Sequence, residues 1–409
     1  MRDVASTPLF AYSFEALASD NLFDAAVDVI CQLIHETQEI DDNMDVIEVI
    51  VPEVIKLKPQ LTENREDPEK IRGYARIFSE AGETYRFLLL QHTPTFFPIV
   101  EAIGECSAYP DLDIVPITFP FWMRLAQHLS KKPSVDPLFI GAYKTLLNVM
   151  ISHLHFPSDL NPLTGQEADS FRSFRHVMGD TLKDCCVVLR TNNCLMVAYQ
   201  QIANALARNA PWQEIEAPLF ALRSMGAELD LTDETAVPKI MDLIPNLPNH
   251  PRVRYTALLI ISRYTEWINR HSDYISFQLQ YISGGFDDSD PEVCAAAGQA
   301  LKYMCQDCKE VFCFIFHRNG YLISIFQHLT DFLPTLHAFL KTTGPKLVQD
   351  DRRQVYEAIA YVISGMPMNR SAESLKTFSV DILSQVHNFA TRTTAPTAAE
   401  IQAVGGEYT

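Results

Sequence analysis

Apolar residues spaced three and four apart recur along almost the whole chain, and prolines break the pattern at intervals. Between 69 and 90 the positions are Ile71, Tyr74, Phe78, Ala81, Tyr85 and Leu88. Those steps place the side chains on one stripe of an amphipathic helix. The same pattern occurs at Leu22, Ala26, Val27, Ile30, Leu33 and Ile34, and again at Leu138, Ala142, Leu146, Leu147, Met150 and Leu154. Further stripes bring the expected total to roughly sixteen or seventeen helices. Pro59, Pro68, Pro94, Pro110, Pro133, Pro157, Pro211, Pro248, Pro251, Pro291, Pro334 and Pro367 fall between or at the starts of stripes, where the missing N–H costs little. Pro116 and Pro120 lie inside the stripe Val115, Phe119, Trp122, Leu125, Leu129, which predicts Pro116 in a first turn and a kink at Pro120. The β-branched run Val46–Ile55 has no partner strand and is read as helix.

The stripes carry a repeat. His250-Pro251-Arg252-Val253-Arg254-Tyr255-Thr256-Ala257 and Asp290-Pro291-Glu292-Val293-Cys294-Ala295-Ala296-Ala297 share a proline, a valine two residues later and small residues that open a helix. Val253 and Val293 are 40 residues apart. Tyr109-Pro110-Asp111-Leu112-Asp113-Ile114-Val115 reads as a weaker third copy. Two helices per period of this length are the mark of HEAT or armadillo arrays, because one helix pair cannot bury its own stripe and stacked pairs can. The expected fold is all-α: an α-solenoid of HEAT/armadillo-like hairpins, about nine pairs, wound into a curved superhelix over residues 1–390. The segment 391–409, rich in Thr, Ala, Pro and Gly, has no stripe and reads as a disordered tail.

Charge narrows the function classes. The chain has 33 Lys and Arg against 51 Asp and Glu, a formal charge of −18. Residues 1–70 alone hold 16 acids and 5 bases. Direct nucleic-acid binding is disfavoured, because phosphate neutralisation needs a basic surface. Basic protein partners are favoured, against the plainer reading that the charge serves solubility. No apolar run reaches membrane-spanning length, and MRDVASTPLF lacks the apolar core of a secretory signal.

No catalytic pattern stands out. The chain contains no H-E-x-x-H, no G-x-S-x-G and no phosphate-binding glycine loop, so no catalytic or cofactor-binding residue is assigned. Nine cysteines, Cys31, Cys106, Cys185, Cys186, Cys194, Cys294, Cys305, Cys308 and Cys313, lie mostly in apolar stripes and read as reduced, buried thiols. Cys305, Cys308, Cys313 and His317 have the spacing of a zinc knuckle. Yet residues 295–316 read as continuous helix without the tight loop a knuckle needs, so no metal ligand is assigned. Gly284-Gly285 reads as a helix C-cap. Glu39, Asp41, Asp42 and Asp45 read as a solvated loop running into an acidic helix start rather than a site for a cation or a basic peptide. Trp122, Trp212 and Trp267 read as packing residues.

Five strings in register resemble a known family: Leu22-Phe23-Asp24-Ala25-Ala26-Val27-Asp28; Tyr74-Ala75-Arg76-Ile77-Phe78-Ser79-Glu80; Thr118-Phe119-Pro120-Phe121-Trp122; the stretch from Phe174 to Asp184; and Val253-Arg254-Tyr255-Thr256. Together they resemble the transportin-SR, or fungal mRNA transport regulator, branch of the importin-β (karyopherin-β) family, over roughly residues 8–390 and its central portion only. The resemblance implies a HEAT-repeat nuclear transport receptor that shuttles between cytoplasm and nucleus through the nuclear pore. Its implied cargo is basic, RNA-binding shuttling protein. Its further implied partners are the Phe-Gly repeats of nucleoporins, held in shallow apolar pockets, and Ran-GTP, which releases cargo. Family members are about twice as long. The N-terminal repeats that form most of the Ran-binding arch are expected to be absent, as is the Arg-rich helix that reads phosphorylated Arg/Ser tails, so Ran-linked release is expected to be impaired or lost. Neither cargo-contacting residues nor the apolar pockets can be assigned from sequence. The alternative is a HEAT scaffold outside nuclear transport, and enzymatic activity is not expected.

Overall fold

The computed structural model describes residues 7–308, 333–334, 337–338, 341, 349–366, 368–391 and 397. Its helices are α1 Pro8–Glu15, α2 Phe23–His35, α3 Ile40–Lys56, α4 Lys58–Glu63, α5 Pro68–Thr84, α6 Arg86–Gln91, α7 Thr93–Ser107, α8 Phe119–Leu129, α9 Pro137–His153 and α10 Gly165–Leu189. There follow α11 Thr191–Ala207, α12 Trp212–Met225, α13 Val237–Leu243, α14 Pro251–Arg263, α15 Thr265–Arg270, α16 Ile275–Phe286, α17 Pro291–Asp307, α18 Gln349–Ser364 and α19 Met368–Ala390. No strand occurs among the described residues. The run Val46–Ile55 lies within α3, as expected. The proposed tail falls almost wholly outside the described residues.

Aspartate and proline set several helix starts. Asp67, Asp136 and Asp290 each precede a proline, and each carboxylate accepts a backbone N–H of the first turn: Lys70 at 3.2 Å, Leu138 at 2.9 Å and Glu292 at 2.8 Å. The carboxylate satisfies an orphan donor while proline occupies the position that needs none.

The chain divides into two units, Met1–Gln200 and Gln201–Thr409, with the division inside α11. In the first, α2, α5, α8 and α10 pack side by side in chain order, and α3, α7 and α9 form a second row against them. The stripe Ile71, Tyr74, Phe78, Ala81, Tyr85, Leu88 is buried throughout. It continues across a break at Tyr85, where α5 ends and α6 begins. In the second unit α12, α14, α17 and α18 pack in succession, with α16 against both α14 and α17.

The repeat is written in polar bonds between like places of neighbouring hairpins. Arg76 pairs with Asp28 at 2.6 Å, 48 residues away. Lys58 pairs with Glu101 at 2.6 Å, 43 away. Arg252 pairs with Glu292 at 2.6 Å, 40 away, so the second residue after each matched proline-bearing cap bonds its counterpart. Val253 and Val293, the valines that defined the period, are both fully buried.

Three expectations are corrected. Pro120 does not kink a helix: Val115–Thr118 forms a 3₁₀ turn with Pro116 in its first positions, and α8 starts afresh at Phe119 with Pro120 in its own first turn. The segment Tyr109–Val115 does not open a helix. Asp111 instead accepts the backbone N–H of Asp113 at 2.8 Å, a local turn that competes with helix. Gly284 and Gly285 lie inside α16, not after it. A Cβ at Gly285 would sit 2.9 Å from the Ala297 Cβ, so glycine there permits close approach of α16 and α17.

Candidate protein-binding surfaces

The acidic positions singled out by sequence are surface features of α3. Asp41 and Asp42 occupy its first turn, where negative charge complements the helix dipole. Asp41, Asp45 and Glu48 follow at steps of four and three on one exposed face, beside exposed Met44 and Val49. Asp41, Asp42 and Glu48 have no ion-pair partner among the described residues. Asp28 and Glu101, by contrast, pair with neighbouring repeats.

A cleft of about 220 Å³ opens where α4 and the start of α5 meet the end of α7. Leu61, Ile71, Cys106 and Pro110 line it with apolar surface, and Arg65 and Glu105 give it a polar edge. Tyr109 Oη donates to the Arg65 carbonyl at 3.1 Å, joining two successive repeats beside the cleft. Lys58 Nζ lies 3.6 Å from Glu105, holding that carboxylate on the adjoining surface. The volume is below the roughly 300–1,000 Å³ of small-molecule and cofactor sites. No local sequence signal marks the cleft, because its lining joins residues 61–71 to 105–110 from two successive repeats.

The thiols are packed. Cys106, Cys185, Cys186, Cys194, Cys305 and Cys308 are buried. Burial pushes the Cys106 thiol up to about 12, and the Cys308 thiol likewise to about 12. Burial also raises Cys305, with a smaller contribution from Cys308. A nucleophile or metal ligand needs the thiolate, which these surroundings oppose. Cys308 follows the last turn of α17, with Sγ 3.5 Å from Met304 Sδ and 3.9 Å from the Thr265 carbonyl. The helix expected to run to 316 is observed to Asp307, and Cys313 and His317 lie outside the described residues. Among the described residues no group of three or more His, Cys, Asp or Glu could hold a metal ion. No described helix is long and apolar enough to cross a membrane.

The tryptophans also pack. Trp122 donates to Ser107 Oγ at 2.9 Å, and Trp267 donates to the Asp233 carbonyl at 2.8 Å, both fully enclosed. Trp212 is partly exposed and stacks on His250 with ring centroids 4.4 Å apart.

Comparison with known proteins places this architecture. Residues 66–153 match the model of the Transportin-3/Importin-13 second TPR domain, and residues 234–323 match that of the third. The Schizosaccharomyces pombe protein C11G11.07, itself uncharacterised, is 33% identical over 422 residues, covering 98% of this chain and 42% of its own length. The Saccharomyces cerevisiae mRNA transport regulator MTR10 is 32% identical over 326 residues, covering 74% of this chain and 33% of its own length. Importin 13 in its cytosolic state superposes with a TM-score of 0.74 at 17% identity, over 94% of this chain and 46% of that one. The chain thus spans less than half the length of the relatives it matches.

Proposed function

This chain belongs to the transportin-SR branch of the importin-β (karyopherin-β) family, and from that premise we propose that it is a nuclear transport receptor acting by binding alone. The reading rests above all on the 32% identity to the mRNA transport regulator MTR10 across 74% of the chain, joined to the Transportin-3/Importin-13 domain matches over residues 66–153 and 234–323. Its cargo is a basic protein of the RNA-binding, shuttling class, met by the exposed carboxylates of Asp41, Asp42 and Glu48 on α3. Such contacts weaken as salt rises, because exposed charge is screened within about 8 Å at physiological ionic strength. The cleft bounded by Leu61, Ile71, Cys106 and Pro110 takes a phenylalanine of a Phe-Gly repeat during passage through the nuclear pore. The protein then works in both cytoplasm and nucleus and at the nuclear envelope.

The test is a pull-down from cell extract with the chain as bait, with and without Ran-GTP. Capture of nucleoporins and basic RNA-binding proteins that largely persists on adding Ran-GTP is the expected result. Cargo lost on adding Ran-GTP would mean that the release step is retained in this chain. Capture of neither class would reject the reading in favour of a helical-repeat scaffold outside transport.

A further inference from the structure

One surface of the first unit carries charge opposite to that of the chain as a whole. Glu83 lies near the end of α5, Arg86 and Phe87 open α6, and Arg124 and His128 lie on the second half of α8. Arg124 pairs with Glu83. Arg86 Nη1 donates to the Glu83 carbonyl at 3.3 Å, while its enclosed Nε has no hydrogen-bond partner. Burial and, next, the charge of Arg124 hold the Arg86 guanidinium below its ordinary pKa, as expected where two cations share one carboxylate. Lys131 and Lys132 follow in the turn that leaves α8. Both are exposed, and neither has an ion-pair partner among the described residues. The group holds four permanent cations against Glu83 and the nearby Glu80, in a chain of formal charge −18.

An exposed aromatic ring stands among these charges. Phe87 is 53% exposed, whereas its neighbours Tyr85, Leu88 and Leu89 are buried. The His128 ring meets it edge-on, with centroids 5.4 Å apart at 87°. The Arg86 guanidinium lies 5.6 Å from its centroid. A half-exposed phenylalanine flanked by a guanidinium and an imidazole, with two exposed lysines one turn beyond His128, is the composition of an interface anchor, since a desolvated aromatic supplies affinity and the rim charges supply rate and specificity.

We propose that Arg86, Phe87, Arg124, His128, Lys131 and Lys132 form a docking patch for an acidic peptide segment of a protein partner, whose bulky apolar side chain lies on Phe87. Charge complementarity selects this occupant. A basic cargo segment would meet like charge here, so the patch is separate from the acidic face of α3 and does not depend on the function proposed for it. A nucleic acid could pair with the same cations locally, but its whole phosphate chain would be repelled by the surrounding acidic surface.

The test uses the full chain and a fluorescein-labelled peptide of alternating Glu and Ser with one central Leu, followed by fluorescence anisotropy. The expected result is saturable binding that weakens as salt is raised. The double variant Lys131→Glu with Lys132→Glu should weaken it by about tenfold or more, and Phe87→Ser by about fivefold or more. Lys144→Glu, an exposed lysine on α9, should leave it unchanged. All four positions are exposed, so unchanged circular dichroism and melting serve as the check on folding. Absence of binding, equal binding of the matching Lys-for-Glu peptide, tighter binding of single-stranded RNA, or indifference to the patch variants would each overturn the proposal.

Discussion

The Tyr264 hydroxyl donates to the carbonyl of Leu222, 42 residues earlier, at 2.8 Å, and so ties the end of α14 to the last turn of α12 one repeat before it. Both residues are fully buried. The Leu222 carbonyl also accepts the backbone N–H of Gly226, so it keeps a partner if the hydroxyl is removed. Tyr264→Phe should therefore cost about 1 kcal/mol, the net value of one buried hydrogen bond. Tyr264→Ala should cost about 3–5 kcal/mol, because it also leaves a cavity between the repeats. Urea denaturation of the two variants measures both. No loss in Tyr264→Phe would mean that the hydroxyl contributes nothing, and equal losses in the two variants would mean that the ring adds nothing to it.

The same ring explains Gly226. A Cβ built there would stand 2.5 Å from Tyr264 Cε2. Gly226→Ala should destabilise by about 1–3 kcal/mol through overpacking. Gly141, inside α9, has nothing within 4 Å of the equivalent position. Gly141→Ala should stabilise by about 0.5–1 kcal/mol through helix propensity alone. Opposite shifts in melting temperature are the expected pair of outcomes, and shifts of one sign would contradict the packing at Gly226.

Much of this architecture is legible in the sequence because a repeat prints its contacts at a fixed offset. Val253 and Val293 mark the period, and the Arg252–Glu292 ion pair is its direct expression. What was misread depends on choices that periodicity does not encode. Pro120 sits in register with Phe119 and Trp122, so the stripe looks unbroken, although the helix begins only at Phe119. Gly284-Gly285 looks like a stop signal, but the approach of Ala297 to Gly285 makes glycine a packing residue inside α16. The candidate surfaces are less legible than the fold. The cleft beside Tyr109 and the basic patch beside Phe87 each join side chains roughly 40 residues apart, and nothing local marks either set.

The thiols give a chemical check on the packed reading of Cys305 and Cys308. Cys31 is half-buried, and its thiol is raised to about 11, chiefly by burial and despite the nearby Arg76. Cys106, raised to about 12, is fully enclosed. Iodoacetamide at pH 8 should label Cys31 before Cys106, Cys305 or Cys308. The buried three should react more than about a hundredfold slower than an ordinary exposed thiol. Peptide mapping by mass spectrometry reads the order. Rapid native labelling of Cys305 or Cys308 would instead mark an accessible thiolate and restore the case for chemistry at that helix end.

His153 makes stability depend on pH. Its Nε2–H donates to the Ser107 carbonyl at 2.8 Å, and its ring meets the edge of Phe174 at 6.4 Å, joining α9 to α7 and α10. Burial lowers its pKa below the ordinary value of 6.5, and the Ser107 carbonyl only partly offsets this. The unfolded chain then takes up the proton at a higher pH than the folded one. The stability linked to this site is complete above pH 6.5 and is lost as pH falls through the lower, folded value. Urea midpoints measured at pH 8 and again in mild acid should fall further for the native chain than for His153→Gln, which keeps a donor but cannot gain the proton. Parallel losses in the two proteins would show that the acid sensitivity arises elsewhere.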